Sequence, residues 1–123
     1  MDMKQNLTVK LTVRLFAEEK CFGPGVAQLL ALVDEVHSLR AAAMRMDMAY
    51  SKAWKIIRAA EAGFGCKLLF STTGGRGGGG AVLTEEARQI LTSYRRYCTQ
   101  IESYGEQLFR EVFPFCAKDQ SSK

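Results

Sequence analysis

The sequence predicts a mainly helical α+β domain, and three features carry that prediction. Apolar residues recur at helical spacing in three consecutive segments between residues 26 and 62. Two short β-prone segments then flank the glycine-rich stretch "TTGGRGGGGAV", and a long amphipathic stretch follows from Thr84 to about Val112. The chain has 123 residues, of which 47% are hydrophobic, so it is large enough for one domain with its own core.

We expect a single domain over residues 1–123 that is built from consecutive parts. These parts are an N-terminal β-hairpin (7–23), a three-helix core (26–62), a two-stranded segment with the glycines at its tip (66–84), a long helix (85–113) and a loose tail (114–123). In the hairpin, "LTVKLTVRLF" alternates apolar and polar residues, which predicts a half-buried strand over residues 7–16. The following "AEEK" would turn the chain into a second short strand at "CFG".

The first helix is predicted from Val26 to Val36, where the apolar residues form one stripe. Gly25 is its expected N-cap, because glycine tolerates that position. The helix should end at His37 and Ser38. His37 is the only histidine of the chain and has no acidic or cysteine residue at catalytic spacing, so we assign it a capping or packing role.

A helix-turn-helix is predicted from the next two segments. Ser38 would cap a short helix, "LRAAAMRM", whose inner face carries small alanines. After a link of three residues, a third helix is predicted from Tyr50 to Ala62. Gly63 and Gly65 should end it. Two short helices joined by a tight turn, with small residues where they approach each other, are typical of a helix-turn-helix.

The third helix has a core face and a free face when it is viewed along its axis. The core face carries Ala53, Ile56, Ile57 and Ala60. The opposite side is cationic, hydroxylic and aromatic, which suits contacts in a groove of double-stranded DNA. The candidate residues are Tyr50, Ser51, Lys52, Trp54, Lys55 and Arg58. For Trp54, which lies between the two faces, burial in the core is the alternative interpretation.

Positive charge is concentrated in the middle of the chain. Residues 38–80 contain seven basic and two acidic side chains, a net charge of +5, whereas the whole chain has a net charge of +4. A local basic field of this kind suggests a polyanionic partner, with nucleic acid as the leading candidate. A solvated surface without a partner is the alternative.

The glycine run allows several interpretations. A P-loop would need Lys-Ser or Lys-Thr after the glycines, and a dinucleotide fingerprint would need a helix directly after them, but "AVLT" follows instead. A flexible linker fits the composition, yet β-prone segments on both sides favour a hairpin tip. After a helix-turn-helix, such a hairpin is a wing, so the sequence predicts a winged helix-turn-helix. Candidate backbone and wing contacts to DNA are Ser38, Arg40, Thr72, Thr73, Gly74, Gly75, Arg76 and Gly77.

The long helix is predicted to make a homodimer. Its apolar stripe extends over roughly 25 residues, which at about 1.5 Å per residue is longer than a small domain covers. The candidate interface residues are Leu91, Tyr94, Cys98, Ile101, Tyr104 and Leu108. The alternative is a helix that packs only on its own core.

Several classes of protein do not fit the sequence. No apolar run approaches the ~18 residues of a membrane span, and the N-terminus lacks the apolar segment of a signal peptide. The four cysteines are scattered without a CxxC pair, so we expect no metal site, no cofactor, reduced thiols and a cytoplasmic protein. No cysteine has a base near it in sequence and no paired His/Cys/Asp set is present, so an enzyme is not expected.

The segment "GPGVAQLLALVDEVHSLRAAAMRMDMAYSKAWKIIRAAE" and the later "GGRGGGGAVLTEEARQILTSY" resemble the N-terminal DNA-binding domain of the ModE-type molybdate-responsive regulators. That domain is related to the winged helix of LysR-type regulators, and the resemblance covers about residues 7–112. Its most specific parts are "MAYSKAW" and "GGRGGGGAVLT". The resemblance implies a bacterial repressor or activator of transcription that is dimeric through its N-terminal and long C-terminal helical elements.

The chain departs from this family in one respect. ModE-type regulators that sense molybdate carry C-terminal oxyanion-binding domains, whereas this sequence ends after the long helix, so we do not expect these 123 residues alone to bind molybdate. We therefore expect a stand-alone, sequence-specific DNA-binding dimer with a different effector or none. The alternative is a protein-interaction module, or an assembly module that responds to an oxyanion or a metal, with little affinity for any duplex.

Overall fold

A computed structural model of the chain describes residues 6–72 and 80–116. Its elements are, in chain order, β1 (Leu15–Phe16), β2 (Lys20–Phe22), α1 (Pro24–Val36), α2 (Leu39–Arg45), α3 (Tyr50–Phe64), β3 (Leu69–Thr72), β4 (Gly80–Leu83) and α4 (Glu85–Val112). β1 pairs with β2, and β3 pairs with β4, both antiparallel. Three helices, a two-stranded wing and a long helix in this order make a mainly helical winged helix-turn-helix, so the predicted fold class is confirmed.

The chain forms two compact units, where the sequence predicts one domain. One unit is Val13–Tyr94, and the other combines Met1–Thr12 with Arg95–Lys123. The first unit contains both hairpins, α1, α2, α3 and the first part of α4. The division follows from the length of α4, since a helix of 28 residues is longer than one small core and its later part packs with other residues.

The core of the Val13–Tyr94 unit is built from β2, the three helices, the wing strands and the start of α4. Its fully buried side chains include Phe22, Leu29, Leu30, Val33, Ile57 and Leu68. The ring of Phe22 meets the rings of Phe64 and Tyr94 edge-on, with centroid distances of 5.7 and 4.9 Å. Edge-to-face geometry is favourable for aromatic pairs, so these contacts join the first hairpin to α3 and α4.

α1 begins at Pro24, two residues earlier than predicted. Gly23 is the N-cap residue, so the prediction of Gly25 as N-cap is wrong. Proline suits the first helical position because its φ is already helical and it lacks an N–H that would find no partner there. His37 ends the helix in the left-handed conformation with φ 59°, and its N–H donates to the Val33 carbonyl at 2.7 Å. The capping role predicted for His37 is therefore confirmed.

α2 and α3 form the predicted helix-turn-helix. The Oγ of Ser38 accepts a hydrogen bond from the Ala41 N–H at 3.0 Å, which confirms Ser38 as the N-cap of α2. α3 continues past Gly63 and ends at Gly65, whose positive φ of 73° suits glycine. Gly63 has a different role, because a Cβ at this position would come within 2.5 Å of Cys21. The close approach of β2 to α3 explains this glycine.

The N-terminal hairpin is much shorter than predicted. Strand pairing is limited to β1 and β2, and residues 6–14 form no continuous strand. β2 has three residues before Gly23 and Pro24 begin α1, so β2 offers no partner to the residues before β1. The alternation of apolar and polar residues predicted a strand over 7–16, and this is correct only at its C-terminal end.

The base of the wing is joined to the end of α1 by a backbone hydrogen bond. The Ala81 N–H in β4 donates to the carbonyl of His37 at 2.9 Å. A Cβ at Gly80 would lie 2.7 Å from the same carbonyl oxygen, so the close approach of the two backbones accounts for the last glycine of the run. The predicted tip of the wing, residues 73–79, lies outside the described residues.

Thr84 joins the wing to α4. It is buried, and its Oγ1 accepts a hydrogen bond from the Ala87 N–H at 3.0 Å and donates one to the Lys67 carbonyl at 2.8 Å. Glu85 and Glu86 occupy the first turn of α4, where negative charge interacts favourably with the helix dipole. The predicted start of the long helix at residue 85 is confirmed.

The second unit combines the N-terminal segment with the later part of α4 and the residues that follow it. A Cβ at Gly105 would come within 2.7 Å of a methyl carbon of Leu11, so glycine lets Leu11 lie directly on α4. The Leu7 N–H donates to the Cys116 carbonyl at 3.1 Å. Residues 117–123 of the predicted loose tail lie outside the described residues. Among the helices described, none is both long and apolar enough to cross a membrane.

Candidate nucleic-acid interface

The two predicted faces of α3 differ in burial as expected. On the predicted core face, Ala53, Ile57 and Ala60 are buried and Ile56 is half-buried. The side chains of the predicted free face that are exposed are Tyr50, Ser51, Lys52, Lys55 and Arg58. Trp54 is half-buried, so it is neither fully in the core nor fully exposed on the free face. The structure therefore leaves a cationic and hydroxylic surface of α3 open, with Trp54 at its border.

Four side chains on this surface form a continuous row of contacts, with two aromatic rings between two arginines. The guanidinium carbon of Arg40, on α2, lies 4.1 Å from the centroid of the Tyr50 ring at the start of α3. The rings of Tyr50 and Trp54 meet edge-on at 6.4 Å. The guanidinium carbon of Arg58 lies 5.1 Å from the centroid of the Trp54 ring. These four residues form what we call the arginine–aromatic ladder: Arg40, Tyr50, Trp54 and Arg58.

The cations of this surface have no acidic partner in the described part of the chain. The ion pairs found among residues 6–72 and 80–116 join Arg45 to Glu35 at 3.3 Å and Arg88 to Asp34 at 3.0 Å. Neither pair includes Arg40 or a cation of α3. The positive charge that the sequence concentrates in this region is therefore available to an anionic partner.

Three of the predicted backbone and wing contacts lie in described residues. Ser38 is at the N-terminus of α2, where its hydroxyl accepts one hydrogen bond and can still donate another. Arg40 belongs to the ladder. Thr72, at the end of β3, is exposed, and its Oγ1 accepts a hydrogen bond from the Gly80 N–H at 3.0 Å. The remaining predicted contacts lie outside the described residues: Thr73, Gly74, Gly75, Arg76 and Gly77.

Residues 26–88 match the family described as bacterial regulatory helix-turn-helix protein, lysR family. The match runs from α1 through the wing to the first residues of α4 and covers half of the chain. The chain belongs to the LysR family. Its members are regulatory helix-turn-helix proteins, so this chain is a DNA-binding transcription regulator and not an enzyme, as the sequence predicts.

The LysR-family chain is also similar to two longer proteins. It is 33% identical over 88 residues to the transcriptional regulator ModE of Haemophilus influenzae, an alignment that covers 72% of this chain and 32% of ModE. It is 32% identical over 66 residues to the molybdenum-pterin-binding protein MopB of Rhodobacter capsulatus, covering 54% of this chain and 24% of MopB. The chain thus spans a third or less of the length of these relatives. The resemblance to ModE-type regulators is confirmed.

The candidate dimer residues of this LysR-family chain differ in exposure. Leu91 and Tyr94 are buried in the core of the Val13–Tyr94 unit, and the Tyr94 hydroxyl donates to the Val13 carbonyl at 2.7 Å. Their apolar surface is therefore covered by their own chain, and the exposure that a dimer contact needs is not found. Cys98 and Ile101 are half-buried. Tyr104 and Leu108 are 61% and 41% exposed, so they are open to a partner.

Two further exposed residues of the same helix are not among the predicted dimer residues. Tyr97 and Val112 are both more than half exposed. They continue the apolar stripe on which Ile101, Tyr104 and Leu108 lie, with spacings of three and four residues. That spacing is visible in the sequence, so the signal for these two residues was present.

The described residues hold no group of three or more His, Cys, Asp and Glu side chains that could bind a metal ion. The cysteines are free. Burial raises the pKa of the Cys66 thiol above its ordinary value, and the nearby carboxylates of Glu86 and Glu61 raise it further. Cys66 is consequently a protonated, weakly nucleophilic thiol at neutral pH.

Proposed function

We propose that this chain binds double-stranded DNA sequence-specifically through the free face of α3, and that it does so as a homodimer. The contacts in the groove come from Tyr50, Ser51, Lys52, Trp54, Lys55 and Arg58. Ser38, Arg40 and Thr72 contact the DNA backbone beside this face. At the tip of the wing, the proposed DNA contacts are the residues that the sequence predicts there: Thr73, Gly74, Gly75, Arg76 and Gly77.

One observation carries the proposal for DNA. The second helix of the helix-turn-helix presents cations that no acidic side chain neutralises among the described residues, beside aromatic rings on the same face. Lysine and arginine bind phosphates or guanine edges, and serine and tyrosine hydroxyls add hydrogen bonds.

The proposal of a homodimer is supported by the later part of α4. Tyr97, Tyr104, Leu108 and Val112 are exposed on one side of this helix, at spacings that place them within a narrow arc. A second copy of the same surface would bury them, and a twofold-symmetric contact requires nothing beyond this chain. The interface proposed here therefore excludes Leu91 and Tyr94 and begins at Tyr97.

Selection of fragments from the source genome by the purified chain tests the DNA proposal. We expect the bound fragments to share a twofold-symmetric sequence with half-sites about one helical turn, or a multiple of it, apart. The logarithm of affinity should fall linearly with the logarithm of salt concentration, with a slope near −0.9 for each phosphate contacted. If no fragment is enriched and no duplex is bound at low salt, the chain is instead an interaction module and the proposal fails.

A charge placed on the proposed dimer surface should convert the dimer to a monomer. We expect Tyr104→Glu combined with Leu108→Glu to halve the molar mass measured by light scattering at micromolar concentration, because two like charges would meet across the twofold axis. Ser103→Glu combined with Gln107→Glu is the matched control, since it adds the same two charges at exposed positions of α4 away from the apolar stripe. If the wild-type chain is monomeric under the same conditions, the dimer proposal is wrong.

A further inference from the structure

The arginine–aromatic ladder has a regular construction. Tyr50, Trp54 and Arg58 succeed one another at intervals of four residues on α3, so their side chains are neighbours along one line of the helix. Arg40 comes from α2 and closes the other end of the line by lying over Tyr50. The ladder therefore spans the turn of the helix-turn-helix, and both of its ends are guanidinium groups.

We infer that Tyr50 and Trp54 are positioning residues, which hold the guanidinium groups of Arg40 and Arg58 ready to bind two separate DNA phosphates. The inference rests on the proposed DNA-binding function. It goes further because it assigns the two rings a role through the arginines, in addition to any contact that the rings themselves make in the groove.

The distances support stacking of both arginines on the rings. The guanidinium carbon lies 4.1 Å from the ring centroid in the Arg40–Tyr50 pair and 5.1 Å in the Arg58–Trp54 pair, both within the range of a cation–aromatic contact. A guanidinium over a ring keeps the N–H groups on its edge free, and these match the oxygens of a phosphate. Each ring thus restricts a long side chain without occupying its donors.

The length of the ladder favours two different phosphates. From Tyr50 to Arg58, α3 rises by about 12 Å, which is close to the width of the major groove of B-DNA, about 12 Å. Arg40 reaches one end of this line from α2, and Arg58 lies over the ring at its other end, so we assign the two guanidinium groups to different phosphates. Because no carboxylate among the described residues pairs with either arginine, no local anion competes for them.

Arginine is better suited than lysine to the two ends of the ladder. Its planar guanidinium can stack on a ring and donate two parallel hydrogen bonds at the same time, whereas an ammonium group acts as a point charge. Lys52 and Lys55 are exposed on the same helix, and neither contacts a ring in the part of the chain that the structure describes. These two lysines allow a cation without a ring contact to be compared with the arginines that lie over a ring.

The test is a double-mutant cycle measured by fluorescence anisotropy with a labelled duplex of about 30 base pairs, long enough for two half-sites one helical turn apart. Trp54→Leu alone should weaken binding about three-fold, the size of an exposed cation–aromatic contact. In the Arg58→Ala background, the same substitution should have a clearly smaller effect, because only the contact that the ring itself makes in the groove is then lost. In the Lys52→Ala background, it should keep its full effect, because Lys52 doesn't use the ring.

Two further variants show whether a loss of affinity comes from the lost ring contact or from a loss of folding. Trp54→Phe keeps a ring under Arg58 and should recover most of the affinity lost in Trp54→Leu. Tyr50→Leu, at an exposed helix start, should show the same dependence on Arg40→Ala. In the free protein, NMR should show the side-chain protons of Arg58 shifted upfield by the Trp54 ring, and Trp54→Leu should remove this shift.

The outcomes separate the inference from the function on which it rests. A wild-type chain that binds no duplex would overturn the proposed function and this inference together. Binding in which Trp54→Leu and Arg58→Ala have additive effects would overturn the inference alone. The absence of a ring-current shift at Arg58 in the wild-type chain would overturn it without any DNA in the sample.

Discussion

Alanine at both Lys55 and Arg58 is expected to weaken binding to a selected duplex about 100-fold while the chain stays folded. Each charge-assisted hydrogen bond to a phosphate contributes about 1.5 kcal/mol or more, so the loss of two gives about 3 kcal/mol, or roughly 100-fold in Kd. Both side chains are exposed, and the free energy of unfolding should change by less than about 0.5 kcal/mol. Fluorescence anisotropy measures the Kd, and thermal unfolding measures the stability.

Arg95→Ala combined with Arg96→Ala is the matched control for that variant. These arginines are exposed on α4, outside the helix-turn-helix and the wing, and their removal lowers the net charge by the same amount. The Lys55 and Arg58 double variant should also flatten the salt dependence of binding by a slope of about 2, whereas the control should leave it almost unchanged. Equal losses in the two double variants would show that net charge alone matters, and the assignment of the α3 face would be wrong.

The helix ends of this chain could be predicted because they depend on residues close together in sequence. Ser38 and Thr84 each accept a hydrogen bond from the N–H three residues later, as helix N-caps do. His37 and Gly65 end their helices with a positive φ. The error at α1 is also local: the sequence pattern predicts a start at Val26, whereas the helix begins at Pro24, and proline is favoured at the first helical position.

The N-terminal strand could not be predicted in its true length, because a strand depends on a partner as well as on its own pattern. The alternation over residues 7–16 is regular, but its apolar side is buried only in part. Val9, Val13 and Leu15 are half-buried, whereas Leu7 and Leu11 are exposed. However, the described pairing of β1 is with β2, which is three residues long, and Leu7 donates its backbone hydrogen bond to Cys116 instead. An alternating sequence indicates which side of an extended segment is apolar. It does not indicate how many of its residues pair with a neighbouring strand.

The periodicity of α4 likewise predicts an apolar stripe without identifying what covers each part of it. Leu91 and Tyr94 continue the same spacing as Tyr104 and Leu108. The first pair is buried by the hairpin and helices of its own unit, whereas the second pair is exposed. The difference depends on where the core of the Val13–Tyr94 unit ends, which is a property of the three-dimensional packing.

The sequence predicts which residues lie on the free face of α3 better than it predicts the contacts among their side chains. Helical geometry is sufficient to separate the free face of α3 from its core face. The contact of Arg58 with Trp54, four residues apart, is also within reach of sequence reasoning. The contact of Arg40 with Tyr50 is not, because it depends on the path of the turn between α2 and α3, in which Asp47 has a left-handed φ of 56°.

Phe22→Ala is expected to lower the free energy of unfolding by about 3–5 kcal/mol, the range for removing a buried phenylalanine ring. Phe22 is fully buried, and its ring contacts two other rings, those of Phe64 on α3 and Tyr94 on α4. Removing it leaves a cavity between elements that are far apart in sequence, and the edge-to-face contacts are lost as well. Since domains of this kind are stable by only about 5–15 kcal/mol, a large part of the stability would disappear.

Phe16→Ala provides the comparison for Phe22→Ala, because it removes the same ring from the same hairpin. Phe16 is 64% exposed, so we expect its loss to change the free energy of unfolding by less than about 0.5 kcal/mol. Urea unfolding followed by circular dichroism measures both variants. At temperatures where Phe22→Ala is still folded, it should bind the selected duplex with an unchanged Kd, because the proposed DNA face of α3 is the exposed face and not the face in this core. Equal destabilisation by the two substitutions would mean that the hairpin does not pack on α3 and α4 through Phe22.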